Sequence, residues 1–186
     1  MSTALWYASR GTGLVALVLL TAVVVLGAAN AARFAARGWP RFALAEVHRG
    51  LSLLTVAFLA VHVSTAIIDP YAGIRWVSVL VPFSSAYQGF WLGLGSIAFD
   101  LLLALVVSSL LRPRISLRWW RLVHWAAYVC WPVAVVHGFG IGGADARLGW
   151  VRVLTAACVL AVPAAVGWRI RSSHADTEAR RDGEFR

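Results

Sequence analysis

The chain has 186 residues, of which 60% are hydrophobic and 13% are charged, and its mean hydropathy is +0.75. This composition excludes a soluble globular protein and indicates a multi-pass membrane protein. The formal net charge of +9 comes from arginines that stand in short runs between apolar stretches. Arginines in such runs set membrane topology, so we do not expect nucleic-acid binding.

About 20 apolar residues are needed to cross the hydrocarbon core of a bilayer, and five stretches reach that length. In chain order they are residues 11–30, 44–68, 89–111, 119–139 and 149–168. The first stretch has no basic segment before it and no clear cleavage site after it, so we interpret it as a retained helix and not as a signal peptide. The predicted fold is an all-α bundle of five transmembrane helices.

The C-terminal end differs from the rest of the chain. Residues 171–186 mix both charges without apolar periodicity, which is typical of a solvated, disordered segment. We therefore predict a membrane domain over residues 1–170 and a disordered cytoplasmic tail over residues 171–186.

The 17 basic residues are all arginine, and they alternate between the connecting segments. Thirteen lie in segments 30–49 and 112–121 and after residue 168, and four lie in the other segments. The positive-inside rule then places the N-terminus outside and the C-terminus in the cytoplasm. The chain contains arginine but no lysine, which suggests a GC-rich bacterial genome. We therefore expect the protein to lie in the bacterial inner membrane.

The outer segment 69–91 is long for a connection and carries six Tyr, Trp and Phe residues. Aromatic residues concentrate at membrane interfaces, which is one interpretation of this segment. The other interpretation is a docking surface for a partner on the outer face.

Four of the five histidines lie in two predicted membrane helices. His48 and His62 are fourteen residues apart, which brings them to within about 40° of the same helix face at about 21 Å separation. His124 and His137 are thirteen residues apart and so lie some 140° out of register in an ideal helix. Pro132 lies between them, and a kink or a π-turn there can supply part of the missing rotation.

The two helices that carry these histidines run in the same direction, from the cytoplasm to the outside. If they face each other, His48 meets His124 near the cytoplasm and His62 meets His137 near the outside. Paired imidazoles at two levels suit planar macrocycles whose iron takes one axial nitrogen on each face. The chain contains no CxxCH motif, so any haem would be held noncovalently, and we interpret Cys130 and Cys158 as small packing residues.

Three other interpretations stay open at this point. A haem-free transporter or sensor can use intramembrane histidines to relay protons. Zinc or copper sites use imidazoles too, but they require three or four donors at one depth. The chain can also be a haem-free scaffold subunit of a larger complex.

The stretches HRGLSLLTVAFLAVH (48–62) and WWRLVHWAAYVCWPVAVVH (119–137) carry a family resemblance. They resemble the ferric-reductase-like transmembrane domain family, which includes ferric reductases, NADPH oxidases and the membrane haem subunit of a bacterial methionine-sulfoxide-reducing system. The resemblance covers about residues 5–168. It implies two stacked b-type haems and transmembrane electron transfer. His48 and His124 would ligate the cytoplasmic-side haem, and His62 and His137 the outer haem.

Ferric reductases and NADPH oxidases usually have six helices and a fused flavin and nicotinamide domain, whereas this chain is predicted to have five helices and no nucleotide-binding domain. We therefore expect the membrane haem subunit of an oxidoreductase. A partner would supply the electrons, either a separate flavoprotein or a membrane quinol. The acceptor would be an extracytoplasmic protein or a small molecule.

Charged residues near the histidines are further candidates. Arg49 follows His48 and Arg121 precedes His124 by three residues, so both can pair with the propionates of the inner haem, although topology alone also explains them. Toward the outside the candidate cations are Arg10, Arg75 and Arg147. Asp100 lies well inside the third helix, where it is either a proton partner for a ligand or a neutral packing residue.

Overall fold

The computed structural model describes residues 3–31 and 41–184, and within these ranges the helices are joined by turns and irregular segments, without a strand. The helices are α1 (Thr3–Ala31), α2 (Arg41–Ile68), α3 (Trp76–Leu80), α4 (Gly89–Leu110), α5 (Leu117–His124), α6 (Ala127–Ile141) and α7 (Gly149–Glu184). A single 3₁₀ turn, Asp145–Arg147, precedes α7.

Five segments of the described chain are long and apolar enough to cross a membrane, which confirms the predicted number. They are Ala4–Ala31, Phe42–Ile68, Gly89–Leu110, Leu117–Ile141 and Gly149–Arg171. The first begins earlier than predicted, because residues 4–10 are mostly apolar or aromatic and continue the helix toward the N-terminus. Of the arginines that support the topology, Arg33, Arg37 and Arg186 lie outside the described residues.

The last helix continues to Glu184, beyond the end of the candidate span at Arg171. Its backbone is thus helical where the sequence indicates a disordered tail. Alanine, glutamate and arginine favour helix, and extending an existing helix avoids the cost of a new nucleus. The division into a membrane domain and a tail stays a prediction.

The bundle is held by two helix pairs that pack on each other: α1 lies along α2, and α4 lies along α6, while α1 also contacts α6 and α7. The buried core lies between them and consists of Leu20, Val24, Ala98, Leu105, Cys130, Trp131 and Val162. Trp131 donates its Nε1–H to Thr21 Oγ1 at 2.9 Å, and the Cys130 thiol donates to the Ala98 carbonyl at 3.3 Å. Cys130 and Cys158 are buried and unbridged, which confirms their interpretation as packing residues.

The fourth span is interrupted directly after its first histidine, between α5 and α6. The N–H groups of Ala126, Tyr128 and Val129 each donate to the carbonyl three residues earlier, at 2.9, 3.1 and 3.0 Å. Such a turn rotates the chain by about 120° per residue, compared with about 100° in an α-helix. Thirteen residues of ideal helix fall about 140° short of four full turns, and the extra rotation reduces this shortfall. It arises here, before Pro132, and not from a π-turn.

The outer segment is folded against α4. The Ser96 hydroxyl donates to the carbonyl of the buried Ser78 at 2.7 Å. Phe83 has a positive φ of 63° and its ring lies directly over Gly93, where a Cβ atom would clash. Trp76 remains 68% exposed, so this segment presents aromatic surface while its backbone is fixed.

Candidate functional site: two levels of paired histidines

The structure brings His62 and His137, one of the two predicted pairs of membrane histidines, next to each other. The rings of His62 on α2 and His137 on α6 have centroids 6.5 Å apart, with an angle of 78° between their planes. His124, the last residue of α5, lies within electrostatic range of His48 on α2. The two levels are separated by about 21 Å of helix rise on α2.

Three of the four imidazoles are fixed by a backbone carbonyl of a neighbouring helix. The Nδ1 atom of His62 lies 2.7 Å from the Ser9 carbonyl, and that of His48 lies 3.1 Å from the Val23 carbonyl. The Nδ1 atom of His137 lies 2.8 Å from the Trp91 carbonyl. A carbonyl oxygen only accepts, so Nδ1 carries the proton in each ring and donates it. In the neutral imidazole the Nε2 atom then keeps its lone pair, which is the form of histidine that binds a metal.

His124 is oriented in a different way. Its ring stacks on Trp120, one turn earlier in α5, with centroids 4.5 Å apart and 27° between the planes. Its Nδ1 is buried and has no hydrogen-bond partner among the described residues, and the same is true of the Trp120 Nε1. His48 and His124, which the sequence predicts to form the cytoplasmic-side pair, thus differ: a hydrogen bond orients the first ring and stacking orients the second.

A cavity of about 560 Å³ surrounds the outer pair. Its walls come from α1, α2, α3, α4, α6, α7 and the 3₁₀ turn, and it reaches from Tyr7 and Arg10 at one end to Leu20, Thr55 and Cys130 in the middle of the bundle. Most of its lining surface is apolar, and His62 and His137 are among its polar side chains. Cavities of this size and character hold cofactors and other organic ligands.

Arg10 is the cation that the structure places closest to the outer histidines. Its guanidinium lies 4.3 Å from the Trp6 ring centroid, forms a long ion pair of 3.9 Å with Asp145, and acts electrostatically on His62 and His137. One of its nitrogens, Nη1, is buried and has no hydrogen-bond partner within the described residues. Arg10 therefore keeps one buried nitrogen without a hydrogen-bond partner among the described residues.

Three other charged candidates, Arg49, Arg121 and Asp100, form no hydrogen bond or ion pair with a histidine among the described residues. Arg49 is largely exposed and pairs with Glu46 on its own helix at 3.9 Å, and Arg121 is exposed as well. Asp100 is partly buried on α4, and its carboxyl group forms no hydrogen bond or ion pair within the described residues. The roles proposed for these three residues stay predictions.

A conventional metal site is not formed by the same histidines. Within residues 3–31 and 41–184, no three His, Cys, Asp or Glu side chains converge on one point. Zinc and copper sites need that convergence, whereas an iron that already has four equatorial nitrogens from a macrocycle needs only two imidazoles.

Sequence reasoning did not find the groups that orient the imidazoles. The carbonyls of Ser9, Val23 and Trp91 belong to the backbone, which every residue has, so their side chains give no signal. The position of Arg10 beside the outer pair depends on how α1 packs, and hydropathy does not contain that information.

Comparison with known proteins identifies the membrane domain. The family model described as the ferric reductase like transmembrane component matches residues 12–135, about two thirds of the chain. The matched region includes His48, His62 and His124 and ends two residues before His137. A search of curated proteins and a search of solved structures each found no match. On the family match, the chain belongs to the ferric reductase like transmembrane component family.

Proposed function

We propose that this protein holds two b-type haems noncovalently and passes single electrons across the membrane. His48 and His124 would hold the haem on the cytoplasmic side, and His62 and His137 the outer haem. The membership in a ferric-reductase-like family supports transmembrane electron transfer. The observation that carries the haem assignment is the 6.5 Å separation of the His62 and His137 rings.

This separation fits two imidazoles that bind one iron from opposite sides. A metal-bound imidazole nitrogen lies about 2.0–2.1 Å from its metal and the ring centre about 1.1 Å further away, so two opposed rings should have centroids about 6.3 Å apart. The 6.5 Å separation of the outer pair agrees with this value, although two rings in a T-shaped contact also lie about 4.5–7 Å apart.

The tautomers fit the same assignment. His48, His62 and His137 each use Nδ1 to donate to a carbonyl, which leaves Nε2 as the only ring nitrogen able to bind iron. At the level of His62 and His137, Arg10 lines the same cavity, so its guanidinium could pair with an anionic group there. Haem propionates are anions of this kind.

Haem, when bound, supplies a one-electron iron couple whose potential depends on its ligands and surroundings. The residues of the chain orient the ligand nitrogens, exclude water through an apolar cavity, and provide positive charge at the outer end. In this proposal the donor is a separate flavoprotein or a membrane quinol, and the acceptor is an extracytoplasmic protein or small molecule.

The pairing of ligands gives the direct test. We expect His62→Ala and His137→Ala each to remove the same haem, and His48→Ala and His124→Ala each to remove the other, as followed by reduced-minus-oxidised absorption spectra of the purified chain. His174→Ala changes a histidine beyond the candidate spans and should leave both haems in place. Loss of spectrally different haems within one pair would refute the pairing, and a colourless wild-type protein would favour a haem-free transporter or sensor.

A further inference from the structure

Three glycines lie against the three histidines that donate to a carbonyl. A Cβ atom built on Gly13 would come within 2.8 Å of the His62 ring, and one on Gly95 within 2.5 Å of the His137 ring. On Gly27 the corresponding distance to the His48 ring is 3.4 Å. Contacts below 3.0 Å require the ring to move, so at Gly13 and Gly95 only glycine accommodates the observed position of the histidine.

Each of these glycines stands four residues after the carbonyl that its histidine uses: Gly13 after Ser9, Gly27 after Val23, and Gly95 after Trp91. The register has a simple cause. In an α-helix the carbonyl of residue i−4 lies beside the N–H of residue i, and the side chain of residue i covers the turn before it. A glycine at position i leaves that carbonyl open to a second donor from a neighbouring helix.

We infer that Gly13, Gly27 and Gly95 are positioning residues, each of which opens one helix carbonyl to the Nδ1–H of a ligand histidine and thereby directs Nε2 toward the space between the helices. The inference rests on the proposed haem function for its redox consequence, but the placement of the rings does not depend on it. On α1 the glycines are fourteen residues apart, as are His62 and His48 on the antiparallel α2. The two helices thus repeat one glycine and histidine contact at two depths.

His124 differs from the other three membrane histidines in having neither a glycine beside its ring nor a partner for its Nδ1 among the described residues. Its ring stacks on Trp120 instead. The outer pair therefore has two hydrogen-bonded ligands, and the cytoplasmic-side pair has one.

The hydrogen bond has a predictable effect on the iron. A carbonyl acceptor on Nδ1–H makes the imidazole a more basic ligand, which stabilises ferric over ferrous iron and lowers the midpoint potential. Breaking the bond should therefore raise the potential. A tenfold loss of the ferric preference corresponds to a rise of about 59 mV for a one-electron couple.

The test uses alanine variants of the full chain, purified in detergent. Gly13→Ala and Gly95→Ala should each lose the haem that His62→Ala loses, or retain it with a midpoint potential raised by about 59 mV, while the other haem is unchanged. Gly27→Ala should have the smallest effect of the three, because its contact is only 3.4 Å. Gly167→Ala on α7 is the matched control, since a Cβ there meets nothing within 4 Å and the residue does not line the cavity around His62 and His137.

A second readout follows the rings themselves. In ¹⁵N-histidine NMR of the reduced protein, the wild type should show three membrane histidines with a hydrogen-bonded Nδ1–H, and Gly13→Ala should change the signal of His62 alone. This signal is measurable whether or not haem is present, so a haem-free protein would refute the proposed function without deciding the role of the glycines. Alanine favours helix more than glycine, so a loss cannot come from helix propensity. Unchanged His62 and His137 signals and potentials in the Gly13 and Gly95 variants, or an equal loss in Gly167→Ala, would overturn the inference.

Discussion

The hydrogen bond between Trp131 and Thr21 joins α6 to α1 in the middle of the bundle, and its removal is a quantitative test of the packing. The donor and acceptor are 2.9 Å apart, and their residues are only 7% and 6% exposed. Thr21→Val keeps the shape of the side chain but removes the acceptor, so it leaves a buried indole N–H unpaired. That costs about 1–3 kcal/mol in protein interiors, whereas hydrogen bonds between membrane helices average about 0.6 and reach about 1.7 kcal/mol.

We expect a loss of about 1–1.7 kcal/mol in the free energy of unfolding, near the upper end of the membrane range, because no other acceptor for Trp131 is recorded in the described core. Thr55→Val is the matched control. Thr55 is equally buried at 3% exposure, and its hydroxyl, like that of Thr21, donates to a carbonyl of its own helix. The difference between the two variants therefore isolates the contact with Trp131.

Reversible unfolding in mixed micelles measures both variants, and a double-mutant cycle with Trp131→Phe measures the coupling. The hydrogen bond does not stabilise the bundle if Thr21→Val lowers the free energy of unfolding by no more than Thr55→Val does. The same conclusion follows if Thr21→Val lowers it equally with Phe and with Trp at position 131.

Three further predictions concern the outer side and the topology. Arg10→Gln removes a positive charge that disfavours ferric iron near His62 and His137, so the midpoint potential of the outer haem should fall by tens of millivolts, up to about the 59 mV of a tenfold change. Redox titration measures this shift, and an unchanged potential would show that Arg10 does not act on the outer haem. Trp76→Ala or Arg75→Ala should slow reoxidation by an outer acceptor at constant haem content in stopped-flow measurements, and unchanged rates with every acceptor would leave the segment as an interfacial belt. A reporter active only in the cytoplasm should be active when fused after Arg186, and activity of a periplasmic reporter there would invert the topology.

Hydropathy was sufficient to predict the five spans, because crossing a bilayer demands a length of apolar sequence whatever the neighbouring helices do. The pairing of His62 with His137 could be predicted as well, since helix direction and depth follow from counting residues. Both predictions require only the order and the spacing of residues along the chain.

The rotation that brings His124 toward His48 could not be predicted in detail. The sequence draws attention to Pro132, but the structure supplies the rotation earlier, through N–H groups that bond three residues back. The choice between bonds to the third and to the fourth preceding carbonyl has no side-chain signature. The carbonyl acceptors of the histidines were missed for the same reason, although the glycine spacing on α1 was visible in the sequence and could have pointed to them.

The number of haems bound per chain decides whether the protein is the two-haem electron carrier proposed here. The purified wild-type protein, analysed as the pyridine haemochromogen against protein mass, should contain two b-type haems per chain, both six-coordinate and low-spin in the ferric state. A colourless protein, a single haem per chain, or a high-spin haem with only one histidine ligand would contradict the account.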